Sequence, residues 1–257
     1  MSDIRLRTRT VSEIIDAAFA LYRHDTGPYT VLMAFAITPQ LIVNLLLQPN
    51  AGFGLGTAFV TLISIIVSAF TYTMGGAAIM KFGAAVYLGE DADIETALKA
   101  VIPRVGRILW ATFMKGLLYF IGFLFFFVGE FYVAARFFAV TAAIVLEDTS
   151  AIQAFSRSTA LSNGRKRHVL NTLILAWIIY VLLYACVLFA ATVFKSPLLT
   201  IVLSSAYLVV AYPIFGLTTM LLYYDCRIRN EGFDIERMAA SLGIDPGPAP
   251  GIAGATP

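Results

Sequence analysis

The sequence predicts an all-α fold: a polytopic membrane bundle of six transmembrane helices with amphipathic helices on the cytoplasmic side. Three observations carry this. The 257-residue chain is 59% hydrophobic and 13% charged, with a mean hydropathy of +0.82, against roughly 45–50% apolar and about 25% charged in soluble domains. Six apolar runs approach or exceed the ~20 residues that a bilayer core requires. Between them stand polar segments with helix-capping residues, and these hold most of the basic side chains.

The formal charge of +2 leaves no global basic field for nucleic acid. Two cysteines, Cys186 and Cys226, make neither a disulfide framework nor a metal pattern and read as packing residues. Arg5, Arg7 and Arg9 are followed by Glu13, Asp16, Arg23 and Asp25 and not by an unbroken apolar core, so no cleaved targeting segment is expected.

Thr10 and Glu13 have the spacing of a capping box, after which Val11, Ile14, Ile15, Ala18, Phe19 and Tyr22 recur at helical spacing. This amphipathic helix is too charged to span. It lies in the headgroup layer or packs on the protein's own cytoplasmic end. Tyr29 to Leu47 forms the first span, kinked by Pro39. The turn that follows holds Gln48, Pro49, Asn50, Gly52, Gly54 and Gly56; its glycines follow no predicted strand and so do not form a phosphate loop. The second span runs from Thr57 to Met80, with helical pattern continuing to Leu88. Ser64, Ser68, Gly75 and Gly76 give it a small-residue stripe suited to close helix packing.

Asp93 is placed to cap a short helix through Ile94, Ala97, Leu98, Val101 and Ile102, which Pro103 ends. Arg104 and Arg107 lead into the third span, Ile108 to Val128, where Lys115 is expected to snorkel to the inner edge. Gly129 and Glu130 are expected as the whole outer loop. The fourth span, Phe131 to Leu146, is short, about 24 Å at 1.5 Å per residue. It contains Arg136, and an Arg at the bilayer centre costs about 2.5–3.5 kcal/mol on insertion scales. Two readings stand: an anion or lipid-headgroup site, or an Arg near the outer face that snorkels out or pairs within the bundle. Glu130 is a candidate partner only if the chain bends at Gly129.

Glu147 and Asp148 open the next joint, Ser150 and Gln153 form another capping box, and Asn163-Gly164 is a left-handed stop before Arg165, Lys166, Arg167 and His168. His24 and His168 are interfacial, with no nucleophile or paired acid placed beside them. Val169 to Phe194 and Leu198 to Tyr224 are the fifth and sixth spans, the latter kinked by Pro213, with Tyr223 and Tyr224 at the inner interface. A closing helix through Ile235, Met238, Ala239 and Leu242 is expected to dock under the bundle. Asp234 should cap it, Phe233 and Met238 should staple it, and Gly243 should stop it.

All Lys and Arg except Lys115, Arg136 and Lys195 fall on one side of this topology, so both termini and both joints are expected in the cytoplasm. The chain then divides into a cytoplasmic segment at 1–28, a six-span domain at 29–224, a cytoplasmic helix at 225–243 and a disordered tail at 244–257. Three modules, each a capped helix followed by a transmembrane hairpin, place Ala18-Phe19, Ala97-Leu98 and Ala154-Phe155 at matching points, at unequal separations.

SEIIDAAFALYR at Ser12 to Arg23, AFSRS at Ala154 to Ser158 and YYDCRIRNEGFD at Tyr223 to Asp234 resemble the glycerophosphoryl diester phosphodiesterase membrane domain family. The resemblance covers about residues 5–242 and implies a stand-alone bacterial cell-membrane protein without the catalytic domain, of no assigned activity. Its last motif, with Tyr224, Asp225, Arg227, Arg229, Phe233 and Asp234, is the most specific and is read as structural; Cys226 stands where an aliphatic residue is expected.

The first functional expectation is a non-enzymatic scaffold or partner-binding module at the cytoplasmic leaflet, with membrane lipids and a membrane or cytoplasmic protein as partners. Arg104, Arg107, Arg136, Arg165, Lys166 and Arg167 are the candidate contacts to anionic headgroups. The second is a transporter or lipid-translocating protein, drawn from the repetition, Pro39, Pro213 and Arg136. A polar cavity reaching Arg136 would favour transport and a packed interior the scaffold. The third is an intramembrane enzyme using Asp91, Asp93, Glu147 and Asp148 around a divalent cation, but acids at helix starts are explained more simply by capping. No cofactor, metal or nucleic acid is expected.

Overall fold

A computed structural model describes residues 6–46, 54–124, 128–194 and 196–242. The expectations placed on residues 48–52, on Lys195, on the Gly243 stop and on the 244–257 tail lie outside the described residues. Regular structure among the described residues is helical throughout. Six stretches are long and apolar enough to cross a membrane: Thr26–Leu46, Leu55–Leu88, Ile94–Leu124, Gly129–Leu146, Lys166–Val193 and Pro197–Glu231. The fold is an all-α, multi-pass membrane bundle.

In chain order the helices are α1 (Val11–His24), α2 (Thr26–Leu46), α3 (Leu55–Leu88), α4 (Ile94–Val101), α5 (Val105–Leu124), α6 (Val128–Arg136), α7 (Val140–Leu146), α8 (Ala151–Ser162), α9 (Lys166–Phe194), α10 (Pro197–Glu231) and α11 (Phe233–Ser241). Local chemistry sets the boundaries. Both halves of the capping boxes form at Thr10/Glu13 and Ser150/Gln153, and Asp93 accepts from the Thr96 amide. A 3-10 turn containing Pro103 joins α4 to α5. Left-handed glycines, Gly89 at φ 71° and Gly232 at φ 67°, end α3 and α10.

Packing is concentrated at one end of the bundle, where α1, α4, α8 and α11 gather around the ends of α3 and α10. On α3 nearly everything from Gly75 to Tyr87 is buried, and on α10 everything from Gly216 to Cys226. Elsewhere α2, α3, α5, α9 and α10 carry exposed apolar side chains such as Phe35, Phe59, Phe113, Phe120, Leu182 and Phe189. So large an exposed apolar surface belongs against lipid. Helix α1 buries Ile14, Ile15, Ala18, Leu21 and Tyr22 against the bundle, chiefly on α9 and α10, so the intramolecular of its two readings is the one observed. Each such large aliphatic side chain contributes about 1.5–3 kcal/mol when fully buried. Ala18, Ala97 and Ala154, the matching alanines of the three modules, are all buried, which explains why a small residue recurs at that point.

The small-residue stripe of α3 acts as expected. A Cβ on Gly75 would lie 2.9 Å from Met33 Sδ, and one on Gly76 would lie 3.3 Å from the Tyr212 hydroxyl. A second close approach was not anticipated. α5 and α6 touch backbone to backbone, so that a Cβ on Gly122 would sit 2.8 Å from the Glu130 nitrogen.

Several expectations need correction. Gly129 and Glu130 are helical residues of α6, not an outer loop. The fourth span is broken at 137–139 into α6 and α7, without Pro or Gly at the break. α8 supplies the reason: the Ser158 hydroxyl donates to Arg136 O at 2.9 Å and accepts from the Ala139 amide at 3.1 Å, satisfying backbone groups that the break releases. α10 passes Tyr224 without interruption to Glu231, so the boundary drawn at 224/225 falls within one helix. Asp234 lies in the first turn of α11 and not ahead of it, with Gly232 before the helix. That helix docks through buried Phe233, while Ile235, Met238 and Leu242 are about two-thirds exposed. Cys226 is a core residue, whereas Cys186 is exposed.

Candidate functional site

Two features of the bundle bring polar side chains together: a charged latch at the end where α1, α4, α8 and α11 gather, and a cavity among the spans. The latch is built on the α10 terminus and the α8 joint. Arg157 on α8 reaches Glu147 Oε2 from Nε at 2.7 Å and Glu231 Oε2 from Nη2 at 2.8 Å. Its Nη1 also meets Glu231. Tyr223 donates to Glu147 at 2.5 Å, and Arg227 lies 3.1 Å from Glu231 and 3.7 Å from Glu147, its guanidinium 4.1 Å above the Phe233 ring. Burial of Glu147 opposes its charge, but hydrogen bonds from Arg157 and Tyr223 and the two guanidinium charges hold its carboxyl below the ordinary value of 4.5.

A second knot closes on Asp225, which is almost completely buried. Its Oδ1 accepts from the Arg9 amide at 2.7 Å. Its Oδ2 faces Arg229 Nε at 2.7 Å and His168 Nε2 at 3.0 Å. Arg229 also donates to Arg9 O at 2.7 Å, which ties the N-terminal segment to α10. A third joins the two joints: Arg104 Nε and Arg107 Nη2 each lie 2.8 Å from Asp148 Oδ1, and these hydrogen bonds hold the Asp148 carboxyl down. Arg237 on α11 reaches Glu90 at 3.1 Å. Arg227 thus meets Glu147, whereas Arg229 turns to Asp225.

These pairings redistribute the candidate headgroup contacts. Arg104 and Arg107 are committed to Asp148, and Arg165 donates to Asn230 at 3.2 Å. Arg167 is exposed, and neither Arg136 nor Lys166 has an ion pair with a carboxylate among the described residues. The acids proposed for a cation do not converge: Asp93 caps α4, while Glu147 and Asp148 are held by arginines.

Arg136 is neither near the outer end of its span nor paired with Glu130. It closes α6, with Nη1 on the Tyr132 hydroxyl at 2.6 Å and Nε on the Thr159 hydroxyl of α8 at 3.3 Å, toward the end that carries the latch. Its guanidinium lies over the rings of Tyr132 and Phe137, and the Lys166 ammonium is 4.8 Å from the centroid of the same Tyr132 ring.

The cavity has a volume of about 630 Å³ and opens out of the bundle between α3, α5, α6, α7, α9 and α10. On α5, Thr112, Lys115 and Tyr119 face it, at a spacing that puts all three on one side of a helix. Glu130, Phe131, Ala134 and Phe138 face it from α6 and the break, and Tyr212, Phe215 and Thr219 from α10. Phe131 and Trp177, at its border, are half-exposed or more on the lipid-facing surface. Lys115, expected to snorkel to the inner edge, instead looks into this space, and among the described residues no carboxylate lies within ion-pairing distance of it. Arg136 is not part of the lining, because it sits with Tyr132 on the opposite side of α6.

Sequence reasoning missed Arg157, Ser158, Glu231 and Arg9 as organising residues. Of these, only Arg157 and Ser158 stood in a motif singled out in the sequence, AFSRS at Ala154 to Ser158. Compared with known proteins, the chain matches no family model, no curated protein and no solved structure.

Proposed function

We propose that this is a non-enzymatic membrane protein that takes an amphiphile with an anionic head into the bundle, as a lipid-binding or lipid-translocating protein with its charged end in the cytoplasm. The observation that carries the reading is the 630 Å³ cavity with Lys115 in its wall. Its size falls within the roughly 300–1,000 Å³ range of small-molecule sites, and its lining is mainly apolar with a few placed polar groups, as such sites are. An ammonium inside a membrane bundle is costly and persists where it meets an opposite charge or a water-filled path. The phosphate or carboxylate of an amphiphile supplies that charge, while Trp177, Phe131, Leu173 and Phe215 suit its chain. Glu130 of α6 adds an acid to the same wall. The likeness to the phosphodiesterase membrane domain family is part of this proposal and adds no substrate.

The test is photolabelling of the full chain in liposomes with a diazirine-bearing anionic lipid. Labels are expected on the α5 segment around Thr112–Tyr119 and on α6 around Phe131–Ala134, with a several-fold drop in Lys115→Met. Labelling confined to the lipid-facing Phe35 and Phe59, and unchanged in Lys115→Met, would overturn the reading. A second reading, the scaffold at the cytoplasmic leaflet, draws on the exposed Ile235 and Met238 of α11 and Leu242 just after it. In-cell crosslinking from Met238→Cys to one defined protein, together with an unlabelled cavity, would favour it.

A further inference from the structure

We propose that Arg136, Lys166 and Tyr132 form a surface site for the phosphate of an anionic lipid, on the leaflet next to the charged end of the bundle and separate from the cavity. Two cations converge here on one ring: the Lys166 ammonium 4.8 Å and the Arg136 guanidinium carbon 5.7 Å from the Tyr132 centroid. Neither has an ion-pairing carboxylate among the described residues, although the neighbouring arginines 104, 107, 157, 227 and 229 all do. Two cations gathered about one ring repel, and the aromatic face offsets only part of that. A dianionic or monoanionic phosphate between them relieves it with charge-assisted hydrogen bonds.

The site is also held in place. Thr159 donates to Phe155 O at 2.9 Å and so presents its oxygen to Arg136 Nε, while the Tyr132 hydroxyl takes Nη1, which leaves Nη2 without a partner among the described residues. Lys166 opens α9, and the N-terminal end of a helix attracts anions. Exposed Arg167 stands beside it as a rim charge. Tyr132 is about half exposed. The site therefore lies where the apolar belt of the spans meets the charged end, at the height of a headgroup. A lipid phosphate and a free phosphate share this chemistry, but a site open toward the acyl region favours the lipid.

The test is native mass spectrometry of the detergent-solubilised full chain with phosphatidylglycerol, phosphatidylcholine or inorganic phosphate. Wild type is expected to retain phosphatidylglycerol in preference to phosphatidylcholine. Lys166→Gln should weaken that retention about tenfold, and Arg136→Lys similarly, because an ammonium lacks the planar fork. Since Lys166 is half-buried at a helix start, its variant tests the site even if Arg136→Lys proves unstable. Unchanged phosphatidylglycerol retention in Lys166→Gln would overturn the proposal, as would displacement of the lipid by equimolar inorganic phosphate. Loss of retention in Lys115→Met but not in Lys166→Gln would assign the lipid to the cavity, overturning this site while leaving the functional reading intact.

Discussion

Replacing Arg157 by alanine removes the bridge between the α8 joint and the end of α10. The side chains of Arg157, Glu147 and Glu231 are 26%, 17% and 25% exposed, so all three charges are largely withdrawn from water. Removing one partner of a buried ion pair costs about 3–5 kcal/mol, because the other charge is left uncompensated. Two features reduce this here. Arg227 remains 3.1 Å from Glu231 and 3.7 Å from Glu147, and Tyr223 still donates to Glu147. The expected loss is therefore about 2–4 kcal/mol, which for a chain of this size lowers Tm by roughly 5–15 °C. Cys226, fully buried beside the latch, supplies the assay. In a Cys186→Ser background, a thiol-reactive dye reports its exposure on heating in detergent. Arg157→Lys should recover only part of the loss, since lysine cannot serve two carboxylates with one planar fork. Arg157→Met combined with Glu147→Gln should recover much of it, because Glu231 keeps its pairing with Arg227 and no charge is then stranded. A Tm for Arg157→Ala equal to that of wild type, or complete rescue by lysine, would refute the assignment of the latch.

Two further outcomes are expected. Glu147 and Asp148 have carboxyls held below their ordinary values of 4.5 and 3.8, so their contribution is complete above those values and is lost as pH falls through the lower folded values. Tm should be nearly flat from neutrality to about pH 5 and fall below about pH 4, and Glu147→Gln should make that acid slope shallower; a rising Tm on acidification would contradict the pairing. Orientation is tested in intact cells with the same Cys186→Ser background: a cysteine at exposed Gly54 should label from outside and one at exposed Asn163 should not, whereas the reverse pattern would invert the topology.

Much of the secondary structure was legible because it is decided locally. Capping at Thr10, Asp93 and Ser150 needs only a side-chain oxygen and an amide a few residues ahead, and the glycine stops need only a backbone without a Cβ. The six spans follow from length and apolarity, since a bilayer requires every backbone group to be satisfied within the helix. Where the sequence misled, a distant partner had intervened. The break after Arg136 has no local cause, because Ser158, twenty-two residues later, takes the backbone groups it frees.

The charged residues divide in the same way. From the sequence alone came their placement at one end of the bundle, and with it the expectation of a cytoplasmic face, because the positive-inside bias is read by counting. Which arginine meets which acid depends on distances across 41 to 74 residues of chain, as between Arg107 and Asp148 or Arg157 and Glu231, and no periodicity encodes these. The same holds for the cavity. Thr112, Lys115 and Tyr119 announce a common helix face, but whether that face meets lipid, a neighbour or open space is settled only when α6, α9 and α10 are packed around it. Sequence thus determined most of the elements, the capped helix starts and the bundle class, which depend on short-range hydrogen bonding and transfer from water to lipid. The tertiary structure decided which charges are satisfied and which are left to attract a ligand, because that depends on long-range complementarity between helices.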